Sequence, residues 1–268
     1  MKVRMRVMAV VCLVGVAGIV DAEEMTGRQI LDEAANRHEA PHEFEVQTMT
    51  LVDKKGNQEV REVHRSSRKG EDGQYKYLVV FHSPPGVKGV ALLTWQHKDA
   101  GDDQWLYLPA QGEQVKRIAK GSKKNYFMGT DFTYEDLVSE SRDKFTSTRL
   151  PDETVEGVDH FVVEVVPSDP ELVKESGYQK RLMWVRKATY FVDHTDYYDK
   201  QGKLLKRQTA SDLDNVSGQM WRAKTSKMEN LSTNHATLVH VDQRSLEESA
   251  VPEEHFQQRF LLSGQHLR

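Results

Sequence analysis

The seven residues from Asp193 to Asp199, DHTDYYD, form the densest titratable cluster in the chain. On a strand, Asp193, Thr195 and Tyr197 point one way while His194, Asp196 and Tyr198 point the other. His194 and Asp196 could begin a metal site, but tetrahedral ligation needs further partners from elsewhere. A solvated strand face running into the turn KQGK is the simpler reading. His38, His42, His64, His82, His97 and His160 fall on different expected elements and read as surface residues. There is no G-x-S-x-G elbow, no H-E-x-x-H pair, no Gly-rich phosphate loop and no cysteine placed as a nucleophile. The residues therefore assign no catalytic group, no metal ligand and no cofactor, and an enzyme is not expected.

The chemistry that does stand out is apolar. NYFMGTDFTYEDL, residues 125–137, gathers Tyr126, Phe127, Met128, Phe132, Tyr134 and Leu137 between the basic loop KGSKK and the polar run SESRDK. Thr133 is placed as an N-cap with Asp136 closing the capping box, and Phe132 and Leu137 stand at the two staple positions. The pattern predicts a short helix behind an irregular apolar loop, with Phe127, Met128, Phe132 and Leu137 laid over an apolar surface. Gly129 leaves the backbone free to hinge there, so the segment is expected to move as a lid. KGSKK could meet anionic headgroups or an acidic partner, though a short charge run reads more simply as a solvated loop.

Something must lie beneath that segment, and strand periodicity supplies it. From Glu43 onward apolar and polar residues alternate with period two, giving strands at FEVQTMTLVD, QEVREVHRSS, YKYLVVFH, GVALLTWQH, QWLYLPA, DKFTSTRL, HFVVEVV, QKRLMWVRK, YFVDHTDYYD, KLLKRQTAS, QMWRAKTSKME and ATLVHVDQ. The breaks EDG, SPPG, DAGDD, KQGK and VSGQ are short, which joins antiparallel neighbours. The fold class is mainly β with a few helices: one long antiparallel meander of about eleven or twelve strands, which must curl, close or split. Alternation points Phe44, Val46, Phe161, Val163 and Val165 into a shared apolar interior. It places Glu45, Gln47, Lys76, Glu164 and Lys227 on a wet face. In YKYLVVFH and RLMWV both faces are apolar, so alternation assigns neither.

Helices are expected at both ends of the meander. Thr26 and Gln29 form a capping box, Met25 and Ile30 a staple, and Ile30, Leu31, Ala34 and Ala35 one stripe, which predicts a helix over 27–38. In PEEHFQQRFLLSG, Pro252 marks a helix start and Gly264 a stop, with Phe256 and Phe260 one turn apart. This segment is a further candidate to cover the sheet.

MKVRMRVMAVVCLVGVAGIVDA opens with Lys2, Arg4 and Arg6 and continues with an apolar core from Val7 to Val20, which is the pattern of a cleavable secretory signal peptide. Val20 and Ala22 suit a cut before Glu23, so residues 23–268 are expected to form a single exported, soluble domain in the periplasm. The one cysteine, Cys12, lies inside the signal and not behind a lipobox. Loss of Lys2, Arg4, Arg6 and Asp21 leaves 34 basic against 40 acidic groups, a net of −6, which gives no reason to expect nucleic acid. No disulfide is available to the remaining chain, so its core must hold it.

The order QWLYLPA, a basic loop, YFMGTDFTYEDL, HFVVEVVP, KRLMWVRK and YYDKQGKLLK resembles the outer-membrane lipoprotein-sorting protein family, relatives of the periplasmic carrier LolA. The likeness spans nearly all of the expected mature chain, and FMGTDFTYEDL is its most specific piece. The resemblance implies an unclosed antiparallel half β-barrel whose apolar concave face is covered by helices. It implies a pocket for the acyl chains of a lipid or lipoprotein, lined by the apolar residues named above, and carrier traffic toward the outer membrane. Similar folds also serve as envelope-stress sensors or work beside RND-type exporters, so the alternative is a non-enzymatic sensor or adaptor of the same fold that binds a protein partner such as an RND-type membrane exporter. An inner-membrane exporter or an outer-membrane acceptor is the protein partner the resemblance implies.

Overall fold

The computed structural model describes residues 24–98, 100–111, 114–138 and 142–267. The expected signal segment, residues 1–22, lies outside the described residues.

The strands run β1 His42–Val52, β2 Gln58–Lys69, β3 Tyr75–Ser83, β4 Ala91–Trp95, β5 Asp103–Leu108, β6 Gln114–Arg117 and β7 Phe145–Val155. They continue as β8 Val158–Pro167, β9 Tyr178–Arg186, β10 Val192–Asp199, β11 Leu204–Ser217, β12 Met220–Asn230 and β13 His235–Ser245. All thirteen pair in one sheet of order β6-β5-β4-β3-β2-β1-β13-β12-β11-β10-β9-β8-β7. Every neighbour is antiparallel. The first and last strands meet in the middle of the sheet, and β6 and β7 are its free edges, so the sheet is unclosed. The strand missed by periodicity is β6, whose four residues QVKR are too few and too polar to show alternation.

Helix α1, Gly27–His38, forms as its caps predict: Thr26 accepts from the Gln29 backbone and the Gln29 side chain returns the bond. Ile30, Leu31 and Ala34 bury against Val163, Val165 and Val185 of β8 and β9. The helix begins so close to β7 that a Cβ on Gly27 would meet the Arg149 nitrogen at 2.8 Å, which only glycine avoids. A second helix, α2, spans Pro170–Ser176; Asp169 caps it, Pro170 opens it and Gly177 closes it at φ 83°. The C-terminal segment is a 3-10 turn over Glu253–Phe256 followed by α3, Gln258–Leu262.

The two faces of the sheet have separate covers. The inner face carries α1 and the 125–137 segment, over Met49, Leu51, Val63, Val79, Phe81 and Leu92 among others. The outer face of β3–β5 (Leu78, Val80, Ala91, Leu93, Trp105, Tyr107) is covered by Val251, Phe256 and Leu261 of the C-terminal segment. That segment therefore covers the face opposite the one α1 and the aromatic segment cover. It also explains why YKYLVVFH is apolar on both sides, since each face of β3 is buried beneath something.

β1 reverses the expected alternation. Its buried residues are Glu43, Glu45, Gln47, Met49 and Leu51, while Phe44 and Val46 stand half-buried on the other face. Phe44 packs toward the C-terminal cover. The expectation took polar side chains as a mark of the wet face, but here the charges are neutralised across strands. Glu43 accepts from Arg222 of β12 at 2.8 Å, and Glu45 accepts from Arg244 of β13 at 2.7 Å. Gln47 donates to Glu45 at 2.7 Å. A buried charge is tolerated when it is paired and hydrogen-bonded. Lys76, Glu164 and Lys227 are half-buried, so they also depart from a fully wetted face.

Candidate functional site

The aromatic segment is a plug on the inner face. Its backbone turns at Phe127-Met128-Gly129-Thr130, where Thr130 N–H donates to the Phe127 carbonyl at 2.9 Å. Met128 and Gly129 have φ of 49° and 78°, the left-handed pair of a type I′ turn. Phe127 N–H donates to the Phe132 carbonyl at 2.8 Å, and Tyr126 bridges Thr133. Gly129 thus sits in a formed turn that requires its positive φ. The expected helix shrinks to a 3-10 turn, Glu135–Leu137, although its capping box is present: Thr133 N–H donates to Asp136 Oδ2 at 2.6 Å and Asp136 N–H donates to Thr133 Oγ1 at 3.3 Å.

Phe127, Phe132 and Tyr134 are buried in the apolar floor, and Met128 and Leu137 pack at its margin. The Phe127 ring lies 5.5 Å from Phe81 of β3 and 5.5 Å from Tyr134. Each such ring contributes on the order of 1.5–3 kcal/mol by leaving water. The backbone of the plug is tied down by side chains of the sheet. Arg61 donates to the Met128 carbonyl at 2.7 Å, and Gln104 donates to the Tyr134 carbonyl at 2.8 Å.

A polar latch completes the fastening. Lys206 of β11 is wholly buried, its Nζ bonded to the Asp136 carboxylate and donating to the Asp131 carbonyl at 3.2 Å. The rings of Tyr178 and Tyr197 each stand 5.0 Å from that ammonium, and Tyr126 stands 5.8 Å away. Burial pushes the Lys206 ammonium below the usual lysine range, against the opposing pull of Asp136. Tyr178 donates to Asp136 Oδ1 at 3.0 Å; burial and then the Asp136 charge hold its phenol well above the ordinary value. On the far side Asp131 Oδ2 accepts from Thr237 at 2.8 Å and meets His235 Nδ1 at 2.7 Å. Sequence reading found the plug and missed the latch, because nothing local marks Lys206 as buried.

Cavities open on the inner face beside the plug and beside α1. One of about 330 Å³ lies against β9–β11, lined by Phe145, Leu172 and Met183 together with Lys123, Glu135 and Arg181. Burial raises the Glu135 carboxyl, with Lys123 opposing. Lys123 belongs to the KGSKK loop and is buried, so that loop is solvated only in part. Another cavity, about 560 Å³, lies beside α1 and is lined by charged and polar groups, among them Glu43, Arg65, Tyr75 and Arg222. The plug covers the apolar floor, with Phe127, Phe132 and Tyr134 buried in it.

The sequence-assigned residues therefore divide into three sets. Phe127, Met128, Phe132 and Leu137 come together over the floor. Val163 and Val165 are buried on the same face beneath α1, with Phe161 at the margin, its ring 5.6 Å from Tyr190. Phe44 and Val46 are on the outer face. The DHTDYYD strand is not a solvated face either: Thr195, Asp196 and Tyr197 are buried. Burial pushes Asp196 up, but Arg207 and His194 outweigh it and hold the carboxyl at about 2. His160 is buried as well, its Nε2 3.1 Å from Asp193.

An unclosed antiparallel sheet with a loop and a helix laid over its inner face is the LolA-like architecture, and comparison with solved structures bears this out. A Vibrio parahaemolyticus domain named for outer-membrane lipoprotein sorting superposes with a TM-score of 0.82 at 33% identity, covering 88% of this chain and 98% of the other. A DUF1329 family protein from Desulfovibrio piger gives 0.81 at 26% identity, over 88% and 97%. A LolA superfamily protein from Nitrosomonas europaea gives 0.69 at 20% identity, over 88% and 100%, a likeness of fold. A family model described as "Uncharacterized protein" matches residues 73–263. No curated protein matches the chain. The chain belongs to the family of the Vibrio domain, the outer-membrane lipoprotein-sorting proteins, and its fold is LolA-like. No helix among the described residues is long and apolar enough to cross a membrane.

Proposed function

We propose that residues 23–268, freed of the signal segment 1–22, act as a non-enzymatic periplasmic carrier that holds a lipid, or the acyl chains of a lipoprotein, on the inner face of the half-barrel for delivery toward the outer membrane. One observation carries this reading. The apolar surface of Met49, Leu51, Val63, Val79, Phe81 and Leu92 inside the sheet is covered by a plug that belongs to no strand and is held by a polar latch. Phe127, Phe132 and Tyr134 stand where acyl chains would lie, and a plug fastened by an ion pair can be released without unpairing the sheet. An acyl chain in water is disfavoured by about 0.8 kcal/mol per CH₂, so a chain of ~16 carbons needs on the order of 10 kcal/mol of apolar contact to leave a bilayer. Floor and plug together supply such contact by burial and shape. The adjoining cavity of about 330 Å³, lined by both apolar and charged side chains, suits the junction of chain and headgroup.

In this mechanism cargo lifts residues 125–137, which then lie over it. Phe132→Ala is expected to release a fluorescent fatty acid several-fold faster from protein that is still folded. Release at the wild-type rate would make the segment a fixed part of the core. The latch also suits a second reading, an adaptor whose plug never opens and which binds an exporter through its surface; protein that takes up no lipid would support it.

A further inference from the structure

The outer face carries a cluster unrelated to the plug. Glu62 and His64 of β2 are two residues apart, so both side chains leave the same face of the strand. His82 comes from β3 through a break in register. Glu62 faces Ser83 and Val63 faces Phe81, which leaves His82 as the extra residue of a β-bulge. Bulges re-aim side chains and are frequent beside functional sites. Here the bulge turns His82 onto His64, with ring centroids 3.7 Å apart and planes inclined by 30°. Glu62 N–H donates to Ser83 Oγ at 3.1 Å and fixes the bulge from the other strand.

We propose that Glu62, His64 and His82 form a binding site for a first-row divalent cation of the zinc class. One ligand atom from each residue lies within 4.8 Å of the other two, and His64 Nε2 is already 3.2 Å from Glu62 Oε1. Tetrahedral zinc with bonds of ~2.0–2.1 Å spaces its ligands by roughly 3.4 Å, so small side-chain rotations close the set. Imidazole and carboxylate are the ligand types that suit such ions. Both histidines are half-buried and Glu62 is exposed, so a cation can enter from solvent. The Phe44 ring packs edge-on against His64 at 5.5 Å, walling one side and limiting its rotation. A cation bound at His64 Nε2 takes that nitrogen's lone pair, with the neutral ring's proton carried on Nδ1. Three protein ligands leave a coordination position for water, as in sites that bind an ion reversibly or share it with another molecule.

Zn(II) is the probe. Untagged protein titrated against a chromophoric chelator is expected to bind one equivalent tightly, and Co(II) in its place should give visible absorption of a tetrahedral ion. His64→Gln and His82→Gln should each weaken Zn(II) binding at least tenfold, and Glu62→Gln several-fold, with unchanged circular dichroism. His240→Gln, on β13, should change nothing. Glu62 is exposed, so its variant keeps the test valid if a histidine variant fails to fold. Wild-type protein that binds no Zn(II), or a Glu62→Gln or His82→Gln variant with wild-type affinity, overturns the site.

Discussion

Asp136→Ala is expected to destabilise the protein by about 3–5 kcal/mol, the usual cost of leaving one member of a buried ion pair without its partner. The Asp136 carboxylate accepts from Lys206, Tyr178 and Thr133 together, and the Lys206 side chain has no exposure to water. Its removal leaves an ammonium buried among tyrosines, with the Asp131 carbonyl 3.2 Å away as a remaining acceptor. Pairing the change with Lys206→Met should recover much of the loss, because an apolar pair of similar volume is often neutral or better. Equilibrium denaturation measures both, and hydrogen exchange over residues 125–137 should rise in the single variant. A loss under about 1 kcal/mol would mean the latch is solvated and does not hold the plug.

Val163→Asp should cost on the order of 4 kcal/mol. Val163 has no exposed surface and sits between β8 and α1, against Ile30, Leu31 and Val185. A carboxyl there loses the apolar contact and finds no partner, so it must be protonated or force the helix away. Because the site lies beneath α1 and apart from the plug, the damage should appear as loss of α1 protection before any change at 125–137. A variant as stable as wild type would mean α1 does not rest on β8.

The elements legible in the sequence are those whose signal is local. The capping box at Thr26 and Gln29 produced α1, and the aromatic spacing of 125–137 marked a covering segment. Helix α2 also had a local signature, Asp169 and Pro170 before and Gly177 after, which the run of strands obscured. What could not be read depends on partners far along the chain. Lys206 is tolerated in the interior because Asp136 arrives from seventy residues away. Glu43 and Glu45 made the inner face of β1 look wet because Arg222 and Arg244 arrive from β12 and β13. Alternation says which residues share a face; it does not say which face is covered when charges are paired inside. The His64–His82 contact is hidden for the same reason, since it depends on a bulge between two strands.

The most direct test of the carrier account is the composition of the protein as it comes from the cell. Periplasmic protein purified without detergent, extracted with organic solvent and analysed by mass spectrometry, should yield an acyl-bearing lipid or lipopeptide in near-stoichiometric amount, and emptied protein should take up a fluorescent fatty acid. Protein that carries no acyl chain and binds none would contradict the account.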